Sequence, residues 1–251
     1  MTIQTREDLM GMMTIGRIVR STIEHMAAQM APGMSTAELD ALGAAYLKQQ
    51  GARSAPILAY QFPGATCISI NDEAAHGIPG PRIIQPGDMV NIDVSAEKDG
   101  YWADAGRSYA VDPIGEEKQK LIDATAAALQ IALQHARAGE MMNKLGQAVE
   151  KHAKQHGYEV IEELGGHGIG RHIHEKPSVP SVPMFYIRRY RERFQAGQVL
   201  TLEPFLTHGA RHVYTLDDGW TLKTDNGGLV AQFEETIIIT QEAPIVVTVA
   251  A

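Results

Sequence analysis

Asp93 and Asp104 are the first residues of the chain whose types and spacing suggest chemistry. Asp93 lies in Val90-Asn91-Ile92-Asp93-Val94, where apolar and polar residues alternate with the period of a strand that has one apolar face. Lys98-Asp99-Gly100 follows, and it is hairpin punctuation because a tight turn needs residues that tolerate positive φ. A two-residue loop at 98–99 or 99–100 sets Asp104 opposite residue 93 or 95. Either register puts both aspartates on one face. Carboxylates that close repel unless they share a proton or hold a cation.

Three positions in the second half matter for the same reason. Gly165-Gly166-His167-Gly168-Ile169-Gly170 sets one histidine among four glycines, where the backbone is free to pass close to a ligand. Glu203 stands in Leu200-Thr201-Leu202-Glu203-Pro204-Phe205 and Glu234 in Val230-Ala231-Gln232-Phe233-Glu234. An acid among such neighbours is costly to bury unless paired or metal-bound. Each alone has an ordinary explanation, as a solvent-facing glutamate or a satisfied core histidine. As a set, Asp93, Asp104, Glu203 and Glu234 carry four negative charges, which two divalent cations balance, and His167 adds one nitrogen donor. Two such ions ~3.5–4 Å apart, bridged by carboxylates and water, form a hydrolytic centre that acidifies a water and polarises a carbonyl. Carboxylates and an imidazole without a thiolate suit manganese, iron, cobalt or zinc over copper(I).

These side chains need a frame. Leu9, Met12, Met13, Ile15, Ile18, Val19, Ile23 and Met26 recur at helical spacing and predict a helix to about residue 30, stopped by Ala31-Pro32-Gly33. The methionines there are core filler. Ser35 or Thr36 caps a second helix that runs through Leu39, Leu42 and Tyr46 to Gly51. The arrangement returns as a helix over 116–135, a break near Gly139, and a helix carrying Leu145 and Val149 toward Gly157. Gly33 and Gly139 are 106 residues apart (139 − 33), as are Leu39 and Leu145, which suggests a duplicated half. Strands follow each helix pair: 66–70 and the Asp93/Asp104 hairpin after the first, then 199–205, 212–216, 220–223 and 229–240 after the second. Helix runs followed by hairpin strands indicate an α+β fold with a mainly antiparallel sheet. The helices cover one face and leave the other for a cleft. The chain reads as a single domain over 1–251, with halves of roughly 1–112 and 113–251.

Composition narrows the function further. The 251 residues are 44% hydrophobic and 21% charged, enough for a sizeable core. A net charge of −8 argues against nucleic acid or a lipid surface as the main partner. Cys67 is the only cysteine, so neither an internal disulfide nor a CxxC site is possible, which suits a reducing cytoplasm. Arg6, Glu7 and Asp8 precede any apolar run, unlike a signal peptide. No stretch of ~18 apolar residues exists to span a membrane. A cytoplasmic monomer is expected.

The motifs stand in an order that resembles a known family. Cys67-Ile68-Ser69-Ile70-Asn71-Asp72-Glu73, His76-Gly77-Ile78-Pro79, Val90-Asn91-Ile92-Asp93-Val94, Gly166-His167-Gly168-Ile169-Gly170-Arg171, His174-Glu175, Leu202-Glu203-Pro204 and Gln232-Phe233-Glu234 closely resemble the methionine aminopeptidases of the short bacterial type I form. The resemblance covers about residues 5 to 240, without the N-terminal zinc-binding extension or the long helical insertion of other types. It implies a pita-bread fold with pseudo-twofold symmetry and the removal of N-terminal methionine from nascent chains and peptides by a two-metal centre. By position, Asp93, Asp104, His167, Glu203 and Glu234 are the implied ligands, with Asp104 and Glu234 bridging. Glu203 is also the implied proton shuttle. His76 matches the histidine that contacts the substrate near its amino end, and His174 the one that stabilises the tetrahedral intermediate. The free α-amine of the substrate would take an open metal position.

The implied methionine pocket departs more from the family. Phe62, Cys67 and Trp220 fall where relatives line it, but Ile173 stands where an aromatic is usual and Ala59 where a tyrosine is common. Ala105 replaces a hydroxyl residue after Asp104, and Glu235 a histidine after Glu234. His172 reads as exposed. Arg188, Arg189, Arg191 and Arg193 form a basic cluster, read first as a solvated loop and otherwise as a contact with the ribosome. The alternative functions are a divergent pita-bread aminopeptidase of broader or Xaa-Pro specificity and a non-catalytic peptide-binding protein.

Overall fold

Two capping boxes open the fold. Thr5 Oγ1 accepts from the Asp8 backbone N–H while Asp8 Oδ2 accepts from Thr5 N, which starts α1 (Arg6–Gln29). Ser35 and Glu38 repeat the device at α2 (Thr36–Gln49). Ser35, not Thr36, is the cap, because the Thr36 hydroxyl is engaged with the Gly80 carbonyl. The computed structural model describes residues 1–183 and 192–250. Arg188, Arg189 and Arg191 of the basic cluster lie outside the described residues, while Arg193 donates to the Gly139 carbonyl at 2.5 Å. No helix among the described residues is long and apolar enough to cross a membrane.

After α2 come β1 (Arg53–Ser54), a short α3 (Ala55–Tyr60) without helical periodicity to announce it, β2 (Cys67–Ile70) and β3 (Glu73–Ala75). Then β4 (Met89–Lys98) and β5 (Tyr101–Ala110) pair along their whole length, with Ser95 opposite Asp104 and Asp93 opposite Gly106. The loop is 99–100, the second of the two registers that the sequence allows, and Asp99 and Gly100 take φ of +52° and +81°. Val90, Ile92, Val94, Ala103 and Ala105 are buried in the core that α1 and α2 cover. Alternation therefore turns Asn91, Asp93, Asp104 and Ser108 to the opposite face.

The second half repeats the plan. Helix α4 (Glu116–His135) has the expected limits and packs on α5 (Met142–Gln155) over a second core. The strands are β6 (Glu159–Val160), β7 (Gly165–Gly168), β8 (Glu175–Pro180), β9 (Val199–Leu202), β10 (Phe205–Thr207), β11 (Val213–Thr215), β12 (Leu222–Thr224), β13 (Val230–Gln232), β14 (Glu235–Ile238) and β15 (Ile245–Val246). Every described pairing is antiparallel. Gly33 and Gly139 take φ of +91° and +86° and donate to the carbonyls of Ile84 and Phe194, at 2.9 and 2.8 Å. Gly87 and Gly197 also match, at +84° and +83°, but they are 110 residues apart (197 − 87). The same offset carries Asp93 to Glu203.

Two expected strands are broken where it matters. Within 199–205, β9 pairs with β7 and β14, but β10 pairs with β6 and β13. The chain changes sheets at Glu203-Pro204, where proline has no N–H for a ladder. It changes back within 229–240, at Phe233-Glu234 between β13 and β14. There Glu234 N donates to Gly106 O at 2.8 Å and stitches β5 into the seam.

The glycines around His167 also answer to neighbouring strands, a constraint the sequence did not reveal, while Gly165 and Gly166 line the polar cavity. A Cβ on Gly166 would lie 2.0 Å from the Thr201 carbonyl of β9, and one on Gly168 2.4 Å from the Lys176 carbonyl of β8. Gly166→Ala must therefore push β7 from β9. The expected loss is about 1–3 kcal/mol, the usual size for overpacking, and several degrees in Tm. A variant that melts with the wild type would show that the strands separate freely.

Candidate metal centre and substrate cleft

The two sheet breaks and the first hairpin converge. Asp93 comes from β4, Asp104 from β5, His167 from β7, and Glu203 and Glu234 from the two crossings between sheets. His167 Nε2 lies 3.7 Å from Glu203 Oε1 and 4.0 Å from Asp104 Oδ2. Ligand atoms of Asp104, His167 and Glu234 all lie within 4.8 Å of one another, close enough for one ion. Asp93, Asp104, Glu203, Glu234 and His167 line one polar cavity of about 350 Å³ together with His76 and His174.

Electrostatics makes this cluster unstable alone. Burial and the neighbouring charges, Asp104 above all, push the carboxyls of Asp93, Glu203 and Glu234 well above the ordinary range. Burial lifts Asp104 to about 6. His167 is driven the other way, down to about 3 by burial, and so stays neutral with a lone pair for a ligand. Its Nδ1 sits 2.9 Å from the Gly168 carbonyl, which leaves Nε2 as the donor nitrogen. Asp104 Oδ1 and Glu234 Oε1 are buried with no hydrogen-bond partner among the described residues. Orphaned carboxylate oxygens beside a neutral imidazole are what a divalent cation satisfies, so the residues fit the implied metal.

A hydrogen-bonded layer behind the carboxylates holds them in place. Gln232 Nε2 donates to Glu234 Oε2 at 3.0 Å, and Asn91 Nδ2 donates to Gln232 Oε1 at 2.7 Å. Ser108 Oγ closes the set against the Gln232 backbone. The sequence reading assigned none of these a role. The available signal was that Asn91 and Gln232 each sit two residues before an acid, on its face of the strand.

A second, largely apolar cavity of about 230 Å³ meets the first at His76, Asp93, Asp104 and His174. Phe62, Cys67, Ile173 and Trp220 all line it, as does Tyr60, which the sequence reading did not single out. Phe62 and Trp220 meet edge to face, with ring centroids 5.2 Å apart. Ala59 is exposed and Tyr60 supplies the ring in its stead, its hydroxyl 2.5 Å from His174 Nδ1. The Glu175 carboxylate next door takes the Met1 ammonium at 2.5 Å and the backbone N–H groups of Arg171 and His172. His172 is exposed, as expected.

The residues that follow the acids are structural. Ala105 is fully buried in the core under α1, where a hydroxyl would need a partner. Glu235 pairs with Arg107, lies 3.5 Å from Arg20, and accepts from Thr248.

Comparison with known proteins agrees with this geometry. The family model described as Metallopeptidase family M24 matches residues 11–241. The chain belongs to that family. Methionine aminopeptidase 2 of Bacillus subtilis (strain 168) is 44% identical over 249 residues, 99% of each chain. The crystal structure of methionine aminopeptidase from Rickettsia prowazekii superposes with a TM-score of 0.93 at 32% identity, covering 99% of this chain and 100% of that one. A prolidase from Pyrococcus furiosus shares the fold, with a TM-score of 0.79 at 22% identity, but this chain covers only 66% of it. The α+β pita-bread architecture and a metal-dependent hydrolase follow from membership.

The raised carboxyls make metal uptake a proton-releasing reaction. Carboxyls held above their usual range keep protons to a higher pH in the metal-free protein, and a cation needs them ionised. His167, already neutral, contributes none. Manganese binding at pH 7 should release protons, and affinity should fall as pH falls. Calorimetry in two buffers of different ionisation enthalpy reads this directly. Heats independent of the buffer would mean that the acids are already charged.

Proposed function

We propose that the chain removes the initiator methionine from nascent proteins and peptides, with two divalent ions held by Asp93, Asp104, His167, Glu203 and Glu234. The observation that carries this is the junction of an acidic cluster with a largely apolar cavity of about 230 Å³, both bordered by His76 and His174. Cobalt, manganese, iron and zinc all suit the donor set. The protein acts as a single metalloaminopeptidase domain in halves 1–112 and 113–251, as a cytoplasmic monomer, on the N-terminal methionine of peptides and nascent chains.

In this reading the apolar cavity receives the methionine side chain between Phe62, Cys67, Ile173 and Trp220. Ions held by these residues would supply Lewis-acid polarisation of the scissile carbonyl and would lower the pKa of water. Glu203 takes the proton of the attacking water and passes it to the leaving amine. His174 donates a hydrogen bond to the carbonyl oxygen as charge develops there. Its pKa is lowered by burial, so it acts as a neutral donor. His76, also held neutral by burial, faces both cavities and orients the substrate near its amino end. The meeting of all five ligand residues counts against a non-catalytic binding protein.

Release of methionine from Met-Ala-Ser tests the activity. Turnover should stop on chelation and return with manganese or cobalt, and peptides that do not begin with methionine should be cleaved more slowly. Within the site, Glu203→Gln keeps an oxygen donor but removes the base, so kcat should fall at least ~10²-fold. His174→Ala should lower kcat by ~10²–10³ with metal content little changed, the usual size for one oxyanion donor. Lost metal with normal catalysis per bound ion in His174→Ala would overturn that role.

Specificity is the third test. Ile173 is buried in the cavity wall and offers dispersion, where an aromatic ring would add a sulfur contact worth ~0.3–1.5 kcal/mol. Methionine should still be preferred, with leucine and norleucine tolerated. Ile173→Phe should sharpen the preference, chiefly by slowing the non-methionine peptides, within the ~10–200-fold range of one methylene of fit. Matched kcat/KM values for Met-, Leu- and norleucine-leading tripeptides decide it, and equal selectivity in both proteins would remove Ile173 from the pocket.

A further inference from the structure

Tyr60 ends α3 with its ring against the apolar cavity and its hydroxyl 2.5 Å from His174 Nδ1. The centroids of the two rings lie 5.6 Å apart, and the His174 ring also meets that of His167 at 4.3 Å. His174 is thus in contact with both rings. Among the described residues the Tyr60 hydroxyl has no other hydrogen-bond partner. A neutral imidazole carries one proton, and the bond made at one nitrogen decides what the other presents. A hydroxyl that donates to Nδ1 leaves the proton on Nε2.

We propose that Tyr60 is a positioning residue that holds His174 as its Nε2–H tautomer while its ring closes the methionine cavity beside Ile173. This rests on the reading of His174 as the donor to the scissile carbonyl oxygen. In the opposite tautomer Nε2 turns a lone pair to that oxygen and repels it as charge develops. The substrate side chain and the oxyanion donor then share one residue, so that the pocket wall and the hydrogen-bond donor are set together.

The test uses the metal-loaded full chain with Tyr60→Phe, Tyr60→Leu, His174→Ala and the Tyr60→Phe/His174→Ala pair. Tyr60→Phe should lower kcat about 3- to 10-fold, the scale of one neutral hydrogen bond. KM, metal content and the Met-to-Leu ratio should stay as in the wild type. The same change in the His174→Ala background should add nothing. Spectra of ¹⁵N-histidine-labelled protein, with His174 assigned by its loss in His174→Ala, should move from the Nε2–H pattern toward a mixture in Tyr60→Phe. Tyr60→Leu should also raise KM or lower the Met-to-Leu ratio. Full kcat in Tyr60→Phe, an unchanged tautomer, or an equal loss on top of His174→Ala would overturn the tautomer role. Unchanged KM and selectivity in Tyr60→Leu would overturn the wall. Wild-type activity in His174→Ala would instead sink the underlying reading of His174, a result separable from a normal Tyr60→Phe in a protein that His174→Ala impairs.

Discussion

Four carboxylates facing one another, Asp104 and Glu234 buried and Asp93 and Glu203 half-buried, are the constraint on which this structure turns. Each raises the free energy of the others' charged forms, and burial removes the water that would screen them. Such a group survives folding by keeping protons or by taking up positive charge. Two of the oxygens have no hydrogen-bond donor among the described residues, although Glu234 is gripped through its other oxygen by Gln232 and through it by Asn91. Hydrogen bonds thus fix the direction of the acid while leaving an oxygen open. That is the arrangement of a ligand waiting for a cation rather than of a satisfied core acid.

The fold supplies this crowding by letting sheets part. Glu203 and Glu234 lie where the chain crosses between β-layers, and neither sits inside a strand as written by its pairing. An acid within a continuous ladder would have its direction set by the pleat. At a crossing the backbone is released, and the side chain points into the gap between sheets. Asp93 and Asp104 reach the same gap from a regular hairpin, and Gly106 lets the last strands approach, since a Cβ there would lie 2.1 Å from Gln232 Oε1. The offset that relates Asp93 to Glu203 also relates the turn glycines before them, so each half delivers an acid at the same distance after its turn, from within β4 in the first half and just past β9 in the second.

The proposed function divides chemistry and selection between two cavities with a common border. One is lined by acids and histidines, the other by Phe62, Trp220, Tyr60 and Ile173, and His76 and His174 belong to both. A side chain in the apolar space places its backbone at the charged border, so binding and orientation come from the same contact. Tyr60 brings a ring to the apolar cavity one residue after the exposed Ala59.

The long helices, the first hairpin and the candidate ligands were legible in the sequence, and the partnerships were not. Helical periodicity located α1 and α4, Ser35 and the glycine stops bounded α2, and Asp99-Gly100 limited the hairpin to two registers that agree on the face of Asp93 and Asp104. These signals act over a few residues, through backbone preference and alternation. The five candidate ligands were readable because charged groups in apolar segments have few stable reasons to be there. Tertiary structure decided which groups meet. Tyr60 finds His174 across 114 residues and Asn91 finds Gln232 across 141. Nothing local distinguishes Tyr60 from Ala59 as the cleft residue, since that depends on where a six-residue helix ends and on the path of a distant loop. The glycines of 165–168 show the same division. Their sequence told of a missing side chain, but only the packed strands revealed that carbonyls of β8 and β9 occupy the space.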